Sequence, residues 1–263
     1  MTTAVSATRS ASNKGVRADV AQTMTSERAA TGSKSLGARI IGVVIAPRAT
    51  YADVGARPRV FGALVFVLAV IVAATFVFLS TEVGQQASLD NQVRQMESFG
   101  RTVSDQQYQQ MERMAPYSRY FAAGFQLVLT PIMALIVAGV AFAVFNAVLG
   151  GDATFKQVYA IVVHSGAILS LQALFGLPLA YARESLASAT NLAVFFPFLD
   201  DNTFAARLLG SIDLFLLWWI VSLAIGLAVL YRRRTTPVAT TMLVVYAAIG
   251  LIIAAIKTAT SGA

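Results

Sequence analysis

The sequence has no cysteine, one histidine and only 13 acidic residues among 263. Without cysteine there is no disulfide, no thiolate ligand and no thiol nucleophile. A transition metal would have to rely on carboxylates, a poor donor set for such ions. Charge is scarce as well, at 13% of the chain against about 25% in an ordinary soluble domain. No Walker A loop, HExxH, GxSxG or carboxylate pair at metal-ligand spacing occurs. No catalytic residue, metal site or cofactor is therefore expected, and an enzyme is the least supported class.

What the chain does have is apolar length. Hydrophobic residues make up 57% of it, with a mean hydropathy of +0.67. The net charge of +7 need not mean nucleic acid. In a membrane protein, surplus Lys and Arg sets topology and meets anionic headgroups. No aromatic-interleaved basic patch or nucleic-acid module is present, so the lipid bilayer is the expected partner.

Residues 1–35 are rich in Ser, Thr and Ala and show no sustained periodicity, which reads as a disordered cytoplasmic tail. From Val60 to Leu79 lie 20 uncharged residues, enough at about 1.5 Å each to cross a core about 30 Å thick. Four further stretches follow, giving five spans at about 60–80, 120–149, 157–180, 207–231 and 236–257. The reading is all-α: a five-span transmembrane helix bundle over residues 36–257, with a short external tail at 258–263. Pro131 lies inside the second span and is expected to bend it. Gly139, Gly226 and Gly250 are expected to let helices approach closely, and Gln126, Asn146 and Gln172 to bond between them.

Orientation follows from the basic residues. With the N-terminus inside, residues 39–59, 150–157 and 231–236 face the cytoplasm and hold eight Lys or Arg in 35 positions. The opposite side holds seven in 75. The twofold difference in density agrees with the positive-inside rule and places the C-terminus outside, in the cytoplasmic (inner) membrane of a bacterium.

Between the first two spans, residues 81–118 are too polar to cross and too long for a turn. Leu89, Val93, Met96 and Val103 fall near helical spacing, and Ser104 with Gln107 forms a capping-box pattern for a helix ended by Pro116. One or two amphipathic helices are expected there. A second such stretch, Leu36 to Ile45 with Arg39 and Arg48, is expected at the inner headgroup level. The loop at 183–206 carries Phe195, Phe196 and Phe198 around Pro197 and is expected to fold over the bundle mouth.

Two ionisable residues lie at span depth, where charge is costly and marks candidate function. These are His164 in the third span and Asp213 in the fourth. Straight helices would separate them by about 10–15 Å in depth, too far for an ion pair. Each either bonds locally or belongs to a proton or cation pathway.

The segment Ile45-Ala46-Pro47-Arg48-Ala49-Thr50-Tyr51-Ala52-Asp53-Val54, just before the first span, resembles the P-x-x-T-[FY]-x-x-[IV] lead-in of prokaryotic Yip1-domain proteins. The turn Gly150-Gly151-Asp152-Ala153-Thr154-Phe155-Lys156-Gln157, between spans two and three, resembles that family's GG-x-x-[ST]-[FY]-[KR]-[QE] segment, and Pro178 matches its third-span proline. The resemblance covers residues 36–257 and implies five spans and no catalytic residue. Eukaryotic members bind Rab-type GTPases and act in vesicle trafficking. The tail here lacks their DLYGP-type motif, so that partner is not carried over. The family-motif residues are Pro47, Tyr51, Gly150, Gly151, Phe155, Lys156 and Pro178. Gly150 and Gly151 suit the left-handed turn that stops a helix, with Asp152 or Thr154 capping the next. The implied function is a non-enzymatic membrane protein that organises membrane and holds another membrane or cytoplasmic protein. The alternative is a small-solute or ion permease using Asp213 and His164.

Overall fold

Pro47 and the apolar runs set the first half of the architecture. The computed structural model describes residues 34–98, 100–200 and 203–261; the expected disordered tail lies outside these apart from Lys34 and Ser35. Helix α1 (Leu36–Ile45) is followed at once by α2 (Pro47–Ala56), with Pro47 in its first turn, where a missing N–H costs no helical bond. Helix α3 (Phe61–Leu79) holds 19 uncharged residues and spans about 28 Å. Thr81 then accepts a bond from the Gly84 amide at 3.0 Å and starts α4 (Glu82–Ser98).

Ser104 and Gln107 form the expected capping box in both directions and open α5 (Asp105–Met114). Pro116, expected to end that helix, does not. It sits in a 3₁₀ turn, Ala115–Tyr117, that hands on directly to α6 (Ser118–Phe142), because proline is tolerated in the first turn of a new helical segment. With a terminal π-turn, Ala143–Val148, the result is one 44-residue rod from Asp105 to Val148. Pro131 lies within α6 and the helix runs on through it.

The third span is two helices, α7 (Phe155–Ser165) and α8 (Ala167–Ala182), meeting at Gly166. A Cβ there would lie 3.3 Å from Val67, so Gly166 lets α3 approach. Pro178 sits inside α8, which continues to Ala182. The stretch expected as a fourth span, 207–231, is divided into α9 (Phe204–Gly210) and α10 (Leu214–Leu230). Asp213 breaks it by taking an extended conformation and turning its carboxylate onto the first amides of α10, the usual competition of Asp with the helical backbone. Helix α11 (Thr235–Ser261) completes the chain and carries the expected external tail in helical form as far as Ser261.

Among the described residues, four helical segments are long and apolar enough to cross a membrane: Phe61–Leu79, Asp105–Val148, Phe155–Ala182 and Thr235–Ala259. At 17 residues α10 is shorter, yet it is the most enclosed, packed against α2, α7, α8 and α11. Small residues make this possible. A Cβ on Gly226 would meet Ile161 at 2.5 Å and Tyr51 at 3.1 Å, and one on Gly250 would meet Ser211 at 2.8 Å. Gly139 has nothing within 4 Å, so it is not a close-approach position, contrary to expectation. Tyr51, Val54, Val158, Ile161, Leu223 and Leu227 form the core around α10. By contrast, α6 and α11 turn Ile132, Ile136, Ile249 and Ile252 outward, a surface that suits hydrocarbon rather than water. No β-strand occurs among the described residues; one isolated bridge pairs Asn191 with Asp213.

Candidate functional site

Two polar centres lie toward opposite ends of α10. Near its C-terminal end, α1 and α2 are joined by an ion pair, Arg39 Nε donating to Asp53 Oδ2 at 2.8 Å. Arg39 Nη2 also donates to the Arg57 carbonyl at 3.2 Å. Arg39 is only 2% exposed, so it is an internal group and not the headgroup contact expected for the α1 stretch. Tyr51 shares a 2.7 Å hydrogen bond with Ser222 of α10. Burial pushes the Tyr51 hydroxyl above its ordinary pKa, partly offset by that bond.

The two family segments, about a hundred residues apart, meet here. Thr154 and Gln157 form a capping box at the start of α7, and Gln157 Nε2 donates to the Gly55 carbonyl at the end of α2, at 3.0 Å. Gly150 takes φ +67°, the left-handed turn expected of it. Gly151 serves a different need: a Cβ there would lie 2.6 Å from the Tyr231 ring and 2.8 Å from the Phe145 carbonyl. Tyr231 stacks on Phe145 with centroids 4.7 Å apart and donates to Asn146 Oδ1 at 2.6 Å. Asn146 donates in turn to the Ala153 carbonyl at 2.7 Å. Arg233 donates to the Leu149 carbonyl at 2.7 Å. Phe155 packs edge-on to Phe142 and parallel to Tyr159, while Lys156 is exposed.

His164 lies deeper and is fully buried. Its Nδ1 pairs with the Ala160 carbonyl at 2.7 Å, and its Nε2 has no hydrogen-bond partner. The adjacent Ser165 hydroxyl donates to Val162 and accepts the Trp219 indole N–H at 3.0 Å.

Asp213 forms the second centre, at the start of α10. Its Oδ1 accepts from the amides of Phe215 and Leu216 at 2.8 and 3.1 Å. Its Oδ2 accepts from Ser188 and Thr190, both at 2.6 Å. Tyr246 of α11 bridges the Ser211 carbonyl and the Asp213 amide. The 183–206 loop is thus sewn to the head of α10, and the carboxylate is a helix cap with four donors rather than an acid part-way along a span.

The bonding partners of His164 and Asp213 do not overlap. Nor does either residue line the two large cavities. One, of about 930 Å³, lies between α4 and the α5–α6 rod. The other, about 310 Å³, is walled by apolar residues of α3, α6, α7 and α10. No group of three or more His, Cys, Asp or Glu capable of holding a metal occurs among the described residues. Of the expected interhelical amides, Gln126 bonds Thr75 of α3 at 3.0 Å. Sequence reasoning missed the roles of Asp53, Ser222, Trp219 and Tyr246. A lone Arg in the apolar α1 stretch, followed by a lone Asp in the next helix, was the one legible hint.

Apolar helices wrapped around a short buried one, with their polar groups bonded to each other, define a multi-pass integral membrane protein. The chain belongs to the Yip1 domain family, whose profile matches residues 41–256, and the resemblance seen in the two motif segments is borne out. It is also similar to the "Membrane protein YknW" of Bacillus subtilis (strain 168), at 27% identity over 191 residues, which cover 72% of this chain and 76% of that protein. No solved structure matches it.

Proposed function

We propose that this chain is a non-enzymatic Yip1-type protein of a bacterial cytoplasmic membrane that organises the bilayer and holds a partner protein. One observation carries this reading: the polar side chains of both family segments bond to one another and to the ends of α10, and none lines a cavity. Groups used this way rigidify a scaffold; they are not poised to bind a solute. In this reading α10 makes a fifth crossing, with its Asp213 end outside and its Arg232–Arg234 end in the cytoplasm. The N-terminus is then inside and the C-terminus outside.

The cysteine-free sequence makes any introduced cysteine a unique reporter. Ala187→Cys and Arg234→Cys, at exposed positions flanking α10, are expected to react with a membrane-impermeant maleimide from opposite sides. Labelling from the same side removes the fifth crossing. Crosslinking in native membranes followed by affinity purification is expected to recover a reproducible protein partner. A partner-free monomer that conducts solute after reconstitution, with flux abolished by Asp213→Asn, would replace the scaffold reading with a permease.

A further inference from the structure

The cavity of about 930 Å³ falls at the upper end of the size range of small-molecule sites. Its floor is Leu79 at the end of α3 and Phe121 and Phe125 at the start of α6. Its walls are Leu89 and Met96 from α4 and Met111 and Met114 from α5. Gln85, Gln92, Gln107 and Gln110 edge it, and no ionisable side chain lines it. The two walls stand apart, joined across the opening by Gln86 donating to the Tyr108 hydroxyl at 3.3 Å. Helix α5 buries no residue of its own. The buried hydroxyl of Ser118, which lines the cavity, has no hydrogen-bond partner.

The position of this cleft decides what it can take. Arg119, resting on the rings of Phe76 and Tyr120, has the amphipathic character of a side chain at the headgroup level. Below it, Phe121 and Phe125 are 67% and 64% exposed and begin the apolar outer flank of α6. The cleft floor therefore runs without interruption into the surface that faces lipid. Unbranched methionine walls repack readily around a flexible apolar chain, and uncharged amides and a free hydroxyl suit ester carbonyls. We propose that the cleft between α4 and the α5–α6 rod receives an acyl chain of a bilayer phospholipid, lifted from the adjacent leaflet above the level of its neighbours. The proposal requires only that α6 lies in the membrane and stands whether or not the chain scaffolds a partner.

The test uses the full chain in vesicles of phosphatidylethanolamine and phosphatidylglycerol containing a phospholipid with a photoreactive group near the end of one acyl chain. After illumination, peptide mapping is expected to place label on Met96, Met111 and Met114, at levels comparable with Ile132 and Ile136 on the lipid-facing flank. Gln92→Trp and Gln110→Trp, which fill the cleft from opposite walls at exposed positions, are each expected to cut cleft labelling at least several-fold and leave the flank unchanged. Flank labelling in each variant reports that it has folded and inserted. Label on the flank but not on the cleft methionines of the wild-type chain would overturn the proposal without need of any variant. So would cleft labelling that both tryptophans leave intact, or an apolar peptide found in the cleft in place of lipid.

Discussion

Removing the Asp53 carboxylate should strand the Arg39 guanidinium, which is 2% exposed and held by a 2.8 Å bond from Nε. Breaking a buried pair from one side typically costs about 3–5 kcal/mol, because the remaining charge keeps its desolvation penalty and loses its counter-charge. Asp53 itself retains 17% side-chain exposure, so water reaches the vacated site and the lower end of that range applies, about 3 kcal/mol. That is roughly a hundredfold fall in the ratio of folded to unfolded protein, at about 1.4 kcal/mol per tenfold. Replacing both partners by apolar groups, Arg39→Met with Asp53→Leu, removes the penalty along with the pair and should return stability to within about 1 kcal/mol of wild type. The assay is SDS titration in mixed micelles, followed by the fluorescence of Trp218 and Trp219, the chain's two tryptophans. The reasoning fails if Asp53→Ala loses less than about 0.5 kcal/mol, or if the double variant is no more stable than the single one.

Gly226→Ala should cost about 1–3 kcal/mol through the clash with Ile161 and Tyr51. Gly139→Ala, with open space around it, should be neutral or stabilising by up to about 1 kcal/mol through helix propensity; the same titration separates them. Asp213→Ala removes a helix cap worth about 0.5–2 kcal/mol and should speed amide hydrogen exchange at residues 214–217, whereas Asp213→Asn, which keeps an acceptor for those amides, should speed it less. The Tyr51 hydroxyl has its pKa raised by burial above the ordinary value of 10.0. A group raised in this way contributes stability that is fully present below its unfolded pKa and lost as pH climbs toward the folded one. Wild-type stability should therefore fall above the ordinary tyrosine pKa, and Tyr51→Phe should flatten that alkaline slope. An unchanged slope in the variant would exclude Tyr51 as its source.

The helices themselves were legible from uncharged runs, because apolar length is a local property that needs no partner to read. The capping boxes at Ser104–Gln107 and Thr154–Gln157, and the left-handed Gly150, were legible for the same reason, since each is satisfied within a few residues. Pro116 misled because its effect depends on whether a new helical turn starts beside it, which sequence spacing does not state. Asp213 misled more instructively. Inside an apolar run it reads as a charge at depth, yet an N-cap satisfies its carboxylate equally well, and the choice rests on Ser188 and Thr190 arriving from a distant loop.

By itself, then, the sequence determined that this protein lives in a bilayer, where its helices begin and end to within a turn or so at most boundaries, and which family its two motif segments belong to. Tertiary structure alone decided that Arg39 turns inward to Asp53, that Gln157 reaches Gly55, and that His164 and Asp213 occupy separate environments. It also decided that a cleft opens between α4 and α5. The physical reason is that hydrophobic length and local caps act over one or a few turns of chain. The partner of a buried polar group, and the space two helices leave between them, exist only once segments far apart in sequence have packed.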